Sequence, residues 1–261
     1  MTPSQATDLN SRCDLLRSLH SPDAPLLLPN AWDVATAGAV VTAGFPVVAT
    51  TSWGVAGALG YEDHEAAPAD EMFAAAARIS RSVEVPTTVD AEAGYGMDPA
   101  ELVAALRSAG AAGCNLEDTD HATGGLRDPD RHAEWLGAVR QAASADGYRL
   151  VINARVDVFM GPYLAGAGPE TQAELVPEAV RRANAYLEAG ADCVYPIILS
   201  ESNALRRFTS EVRGLVNVIR GAHSLPMAEL AALRVARVSW GPYLYWDALA
   251  RFQEQLASLQ D

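Results

Sequence analysis

The segment Thr87–Asp118, TTVDAEAGYGMDPAELVAALRSAGAAGCNLED, holds one complete structural unit and the start of the next. A short apolar run, Thr87–Asp90, leads into a polar loop. Asp98-Pro99 then reads as an N-cap followed by proline at the first helical position, with Glu101 in the first turn. The Ala/Leu-rich stretch 98–109 predicts a helix. Ala109-Gly110 ends it just before the next strand, Cys114–Glu117. Working outward, the same alternation predicts strands at Leu26–Pro29, Val47–Thr50, Val151–Arg155, Cys193–Pro196, Leu215–Ile219 and Arg237–Trp240. It predicts helices near 33–43, 69–82, 129–144, 170–189, 201–210, 226–233 and 242–258. The strands are short and apolar without clean alternation, as parallel strands covered by helices are. Strands alternating with helices imply a parallel sheet with right-handed crossovers. Eight units predict an α/β fold, a closed (β/α)8 TIM barrel forming a single domain over residues 1–261. A short N-terminal helix within residues 1–22 precedes it, with Leu15, Leu16 and Leu19 expected on one face.

The 261 residues are 49% hydrophobic and 20% charged, an ordinary globular composition. A chain of this size builds a core without a disulfide or metal staple. Nineteen Lys+Arg against thirty-three Asp+Glu give a net charge of −14, which argues against nucleic acid or an anionic membrane as partner. No apolar run reaches the ~18–20 residues of a membrane span. The start, MTPSQATDLNSRC, lacks the basic and apolar regions of a signal peptide. Cys13, Cys114 and Cys193 are odd in number and far apart, so free thiols and a cytoplasmic location are expected. Lysine is absent from the chain, which excludes Schiff-base aldolase chemistry. No dinucleotide fingerprint, phosphate-binding loop, CxxC or HExxH is present. The five histidines, His20, His64, His121, His132 and His223, form no HxH or HxxxH pair that would suggest a zinc site.

In a barrel of this kind the functional loops follow the strands' C-terminal ends. The longest are Thr51–Pro68, Asp118–Asp128 and Val156–Pro169. Asp90 and Glu92 are two apart and are expected to lean together toward the barrel mouth. Two such carboxylates repel unless a proton or cation lies between them, and Mg²⁺ suits oxygen ligands. The alternative is a pair of solvated acids at a strand end. Gly94 and Gly96 permit a tight turn there. In CNLED, Asn115 and Glu117 share the inward face, Cys114 packs outward, and only one of Glu117 and Asp118 can point inward. Asn153 and Arg155 share a face. Arg155 serves either as an ion-pair partner of these acids or as a clamp on a substrate carboxylate or phosphonate. Asn217, in the seventh strand, is a further substrate-binding candidate. Thr51, Ser52, Trp53 and Gly54 offer hydroxyls and N–H groups to a carboxylate, or else open a flexible Gly/Ala-rich turn. Asp63 and Glu65 add acids; His64 and His121 are either polar loop residues or acid/base groups.

Taken in order, LLLPNAWDVATAGAVVTAGF (26–45), TSW (51–53), GYEDHE (60–65), VDAEAGYG (89–96), NLED (115–118), INARVD (152–157) and RVSWGP (237–242) resemble the isocitrate lyase/phosphoenolpyruvate mutase superfamily. The resemblance implies a barrel that is usually a homotetramer, a dimer of dimers, with a C-terminal helix exchanged between paired subunits. It implies Mg²⁺, with Mn²⁺ as an alternative, and a small carboxylic acid partner. Asp90 matches the direct metal ligand, Glu92 the second acid, and Glu117 and Asp63 acids that act through water. Thr51, Ser52 and Trp53 match the segment that binds the substrate carboxylate, and Arg155 the arginine that contacts it. The loop Asp118–Arg127 departs from the pattern: it has neither the cysteine of the lyase members nor the lysine and asparagine of the phosphonate-processing ones. Gly124-Gly125 resembles a lid hinge, with His121 or Thr119 as its polar catalytic group. The expected activity is a Mg²⁺-dependent carbon–carbon lyase or decarboxylase acting on a small 2-oxo or 2-hydroxy acid through an enolate-like intermediate. Alternatives are a phosphonopyruvate-type hydrolase or phosphonomutase, or a non-catalytic 2-oxo acid binder.

Overall fold

The computed structural model describes residues 3–221 and 224–259, so His223 lies outside the described residues. Its strands are β1 (Leu26–Leu28), β2 (Asn30–Ala31), β3 (Val48–Thr50), β4 (Thr87–Asp90), β5 (Gly113–Glu117), β6 (Thr119–Asp120), β7 (Gly125–Leu126), β8 (Val151–Val156), β9 (Cys193–Pro196), β10 (Leu215–Ile219) and β11 (Arg237–Ser239). Strands β6 and β7 form a small antiparallel hairpin; the others pair in parallel in the order β1-β11-β10-β9-β8-β5-β4-β3-β2. Segments β1 and β2 are two halves of one barrel strand, separated at Pro29, which has no N–H to donate. The first half pairs with β11 and the second with β3, so this strand brings the sheet round into a nearly closed (β/α)8 barrel. Asn30 fastens the seam. Its Oδ1 accepts from the N–H groups of Trp240 and Gly241, both at 2.8 Å, and its Nδ2 donates to the Thr50 carbonyl at 2.7 Å.

The eight expected helices form, with Asp33 and Asp98 as N-caps in reciprocal capping boxes. Two further helices, Ser52–Leu59 and Met160–Leu164, lie in segments expected to be loops. The glycines of the first are not hinges. A Cβ on Gly54 would lie 2.9 Å from the Trp32 Cβ, and one on Gly57 would lie 2.6 Å from the Tyr245 hydroxyl. Close packing, rather than flexibility, requires glycine at both positions.

The lead-in helix Pro3–Leu19 covers the N-terminal end of the barrel. Its buried face is Leu9, Cys13 and Leu16, while Leu15 is 47% exposed. This corrects the expected Leu15/Leu16 face, because adjacent helical residues point about 100° apart. Leu16 fits against Gly113, where a Cβ would come within 2.8 Å of it. Arg17 and Arg140 both donate to Asp192 at the same end of the barrel.

Glu117 points into the barrel and Asp118 outward, resolving which of the adjacent acids faces inward. Asp118 is fully buried against helix Gln172–Glu188, where it accepts from Arg182 at 3.0 Å and the Tyr186 hydroxyl at 2.6 Å. Removing one partner of a buried ion pair strands the other charge. Arg182→Ala is therefore expected to cost about 3 kcal/mol, read by urea denaturation. His132 packs beside this pair, between Trp135 and Tyr186, and neither of its ring nitrogens has a hydrogen-bond partner. Burial, then the nearby Arg127 and Arg182, lowers its pKa from 6.5 to about 3. The folded state thus holds the ring neutral. The stability this contributes is complete above pH 6.5 and is lost as pH falls toward about 3. His132→Phe should flatten that part of the stability–pH curve, as followed by thermal melts across the acid range.

Candidate active site

At the C-terminal end of the barrel a cavity of about 210 Å³ opens between the loops. Parallel register brings its polar floor together. Asp90 lies opposite Asn115, Glu117 opposite Arg155, and Arg155 opposite Tyr195. Asp90 accepts from the Ser52 backbone N–H at 3.1 Å and from the Asn115 amide at 3.4 Å. Thr51, Ser52 and Trp53 line the same cavity, at the start of helix Ser52–Leu59. Trp53 is held edge-on against Trp246 at 5.2 Å.

Arg155 is buried and triply committed. Its Nη1 lies 2.5 Å from Glu117 Oε2, while Nε and Nη2 donate to the two oxygens of Asp157 at 2.7 and 2.9 Å. Burial opposes its charge, but Asp157 and Glu117 outweigh that and keep the guanidinium protonated. The ion-pair alternative is the one the geometry shows, and the same side chain also lines the cavity.

Asp63 closes the floor, with one buried oxygen, Oδ1, that has no hydrogen-bond partner. Burial and then the Asp90 charge push its carboxyl pKa up. Glu117 is raised well above the usual carboxyl range by burial, against the pull of Arg155. Glu92 is raised to about 8 by burial and then by Asp63. It does not reach the cavity as strand alternation predicted. Strand β4 ends at Asp90, and Glu92 takes a φ of +47°. Its two oxygens accept from the Glu65 N–H at 2.7 Å and the Tyr95 hydroxyl at 2.5 Å.

A second cavity, of about 390 Å³, lies under the β6–β7 hairpin and shares His64 and Arg155 with the first. His121 reaches it with Nε2 at 2.8 Å from Glu117 Oε1. The Thr119 hydroxyl donates to Asp157 Oδ2 at 2.6 Å. Asn217 is fully buried below the floor, accepting from Asn153 and donating to the Ser239 hydroxyl, and it does not reach the cavity wall. Its single-residue reading missed the layer of polar side chains that fills the barrel beneath the site. Cys114 packs in the core with its thiol raised to about 12 by burial, as its outward orientation predicted. Asp157 had one available signal, its position two residues after Arg155. Tyr195, Ser239, Tyr243 and Trp246, which line the cavity, had none.

Among the described residues, no three His, Cys, Asp or Glu side chains are grouped so as to ligate one ion directly. The donor set still suits a hard cation. Several carboxylates crowd together at the cost of raised pKa values, and one buried oxygen of Asp63 has no hydrogen-bond partner. Mg²⁺ commonly uses one or two carboxylates and keeps several waters.

Residues 16–260 match the model of the phosphoenolpyruvate phosphomutase family. A 2-methylisocitrate lyase of Salmonella typhimurium is 30% identical over 247 residues, spanning 87% of this chain and 79% of its own. An uncharacterized protein of Mycobacterium tuberculosis is 32% identical over 227 residues, 87% of this chain and 81% of its own. A crystal structure from Burkholderia cenocepacia J2315, provisionally named a phosphonomutase, superposes with a TM-score of 0.89 at 41% identity. It covers 96% of this chain and 99% of that one. The chain belongs to the isocitrate lyase/phosphoenolpyruvate mutase superfamily, whose members are lyases and mutases.

If crowding of carboxylates raises the free energy of the metal-free site, Asp63→Asn should relieve it. The expected gain is about 1 kcal/mol in EDTA, together with weaker stabilisation by added Mg²⁺. Paired thermal melts measure both.

Proposed function

We propose that this protein is a divalent-metal-dependent carbon–carbon lyase or decarboxylase acting on a small 2-oxo or 2-hydroxy carboxylic acid through an enolate-like intermediate. The observation that carries this reading is the grouping of Asp63 and Asp90 on one cavity and Glu117 on the adjoining one around Arg155, whose guanidinium lines both. Asp90 would hold Mg²⁺ or Mn²⁺, with Asp63 and Glu117 acting through water; Glu92, whose two oxygens are taken by the Glu65 N–H and the Tyr95 hydroxyl, is left out of the set. When bound, the ion supplies Lewis-acid stabilisation of negative charge on the substrate's oxygens. Arg155 adds a fixed positive charge beside the reacting end, where preorganised electrostatics lowers a barrier most. Thr51, Ser52 and Trp53 orient the carboxylate.

In the loop that lacks the lyases' cysteine, His121 is the residue placed to move a proton. Glu117 holds it by Nε2. Thr119 acts indirectly, fixing the Asp157 carboxylate that orients Arg155. The β6–β7 hairpin above them is the lid that excludes water.

The oligomer reading is supported by helix Tyr243–Ser258. None of its residues is buried, and Phe252 and Leu256 are exposed at 56% and 45%. We place this helix across a partner subunit, in a dimer of dimers. The three buried free thiols fit a reducing, cytoplasmic setting. Among the described residues, no helix is long and apolar enough to cross a membrane.

The metal assignment is tested by Asp90→Ala. Mg²⁺-dependent turnover and the Mn²⁺ electron paramagnetic resonance signature of binding should both disappear; full activity of this variant in EDTA would refute it. Screening oxaloacetate, 2-methylisocitrate, dimethylmalate and phosphonopyruvate separates lyase from hydrolase, because only the hydrolase releases phosphate from phosphonopyruvate. For the assembly, light scattering should give a tetramer for the full chain and smaller species for Phe252→Glu.

A further inference from the structure

We propose that the cavity accepts a 2-oxo or 2-hydroxy monocarboxylic acid carrying an apolar aliphatic or aromatic tail, and disfavours di- and tricarboxylates and phosphonates. This rests on the reading of the site as a 2-oxo acid site.

Charge supplies the first argument. A second anionic group on the substrate needs a second cation or a set of free donors, since an unpaired buried charge is heavily penalised. Asp63, Asp90, Glu117 and Asp157 line the two adjoining cavities, and among the described residues Arg155 is the one arginine on their walls. Each of its three nitrogens already faces Glu117 or Asp157, which leaves at most the second N–H of Nη1 and of Nη2 for a substrate. The chain has no lysine to add. Arg237 sits a layer below the floor, fully buried, and donates to Asn115 rather than into the cavity. Of the two histidines on these walls, His121 is held by Glu117 and His64 stands next to Asp63.

The second argument is the opposite wall. Met160, Leu164, Ile197, Ile198, Ile219 and Trp246 face the cavity beyond the polar floor. Ile198 adopts a φ of +68°, a left-handed conformation that a β-branched residue resists. Its backbone is held there by Gln172, itself buried. The Gln172 amide donates to the Ile198 carbonyl at 2.9 Å, and its oxygen accepts from the N–H groups of Ser200 and Glu201, each at 2.9 Å. A strained residue held by its surroundings is a mark of a functional site. Here the strain presents a branched aliphatic side chain to the cavity. An apolar tail seated on this wall gains affinity of roughly fourfold per buried methylene.

Trp53 and Trp246, in edge-on contact at the cavity, provide a fluorescence readout on the full chain in Mg²⁺ buffer. Oxalate, pyruvate, 4-methyl-2-oxopentanoate and 2-oxoglutarate are titrated in turn. The branched acid should bind at least about tenfold more tightly than pyruvate, and 2-oxoglutarate more weakly than the branched acid by a similar factor. Ile198→Gly, which removes both the side chain and the left-handed strain, should cut the preference of the branched acid over pyruvate by about threefold or more. Equal or tighter binding of 2-oxoglutarate, with oxalate still binding, would overturn the tail assignment alone. So would an unchanged preference in the folded Ile198→Gly variant. Failure of both oxalate and pyruvate to bind would remove the 2-oxo acid reading itself, and this proposal with it.

Discussion

The site is organised around an imbalance of charge. Asp63 and Asp90 on one cavity and Glu117 on the adjoining one surround the guanidinium of Arg155, which is already bound on two sides by Glu117 and Asp157. In water such carboxylates would separate or stay solvated. Here burial holds them together and raises the pKa of Asp63, Glu92 and Glu117. An arrangement of this kind costs stability when empty and favours a hydrated cation when filled. The same excess of acid argues for a substrate with a single anionic end.

The barrel sustains this crowding because its register is fastened at both ends. Asn30 ties the first strand to the chain just past the last one, and Asp192 joins Arg17 and Arg140 at the opposite end. Asp118, adjacent to catalytic-side Glu117, turns outward into a satisfied buried network with Arg182 and Tyr186. The backbone that carries Glu117 is thereby anchored from behind. Local strain at Glu92 and Ile198 persists for the same reason: partners on neighbouring elements hold each one in place.

Departure from the superfamily pattern is concentrated in the segment 118–127. Without a cysteine or lysine there, the hairpin offers His121 and Thr119, and each is tied to a carboxylate of the floor. The lid and the charged floor therefore form one connected network. Across the cavity, the aliphatic wall is built from different loops, after β8, β9 and β10. The floor's chemistry and the wall's selectivity can consequently vary independently on one scaffold.

Strand and helix positions were legible in the sequence because the units carry their own punctuation, as Asp98 does as a cap and Gly110 as a stop. Inward and outward faces of β5 and β8 followed from a period of two, whereas the register that sets Glu117 beside Arg155 came from the structure. The same rule failed for Glu92, where the strand had ended, and for Leu15, where a helix carries neighbours to different sides. Gly54 and Gly57 looked like flexibility because their neighbours Trp32 and Tyr245 are remote in the chain. Residues alone thus determined the barrel and the chemical types at its mouth, since local propensity and periodicity are short-range. Only the tertiary structure decided which acids share the cavity and which isoleucines wall it, because those distances are set by the packing of loops that are far apart in sequence.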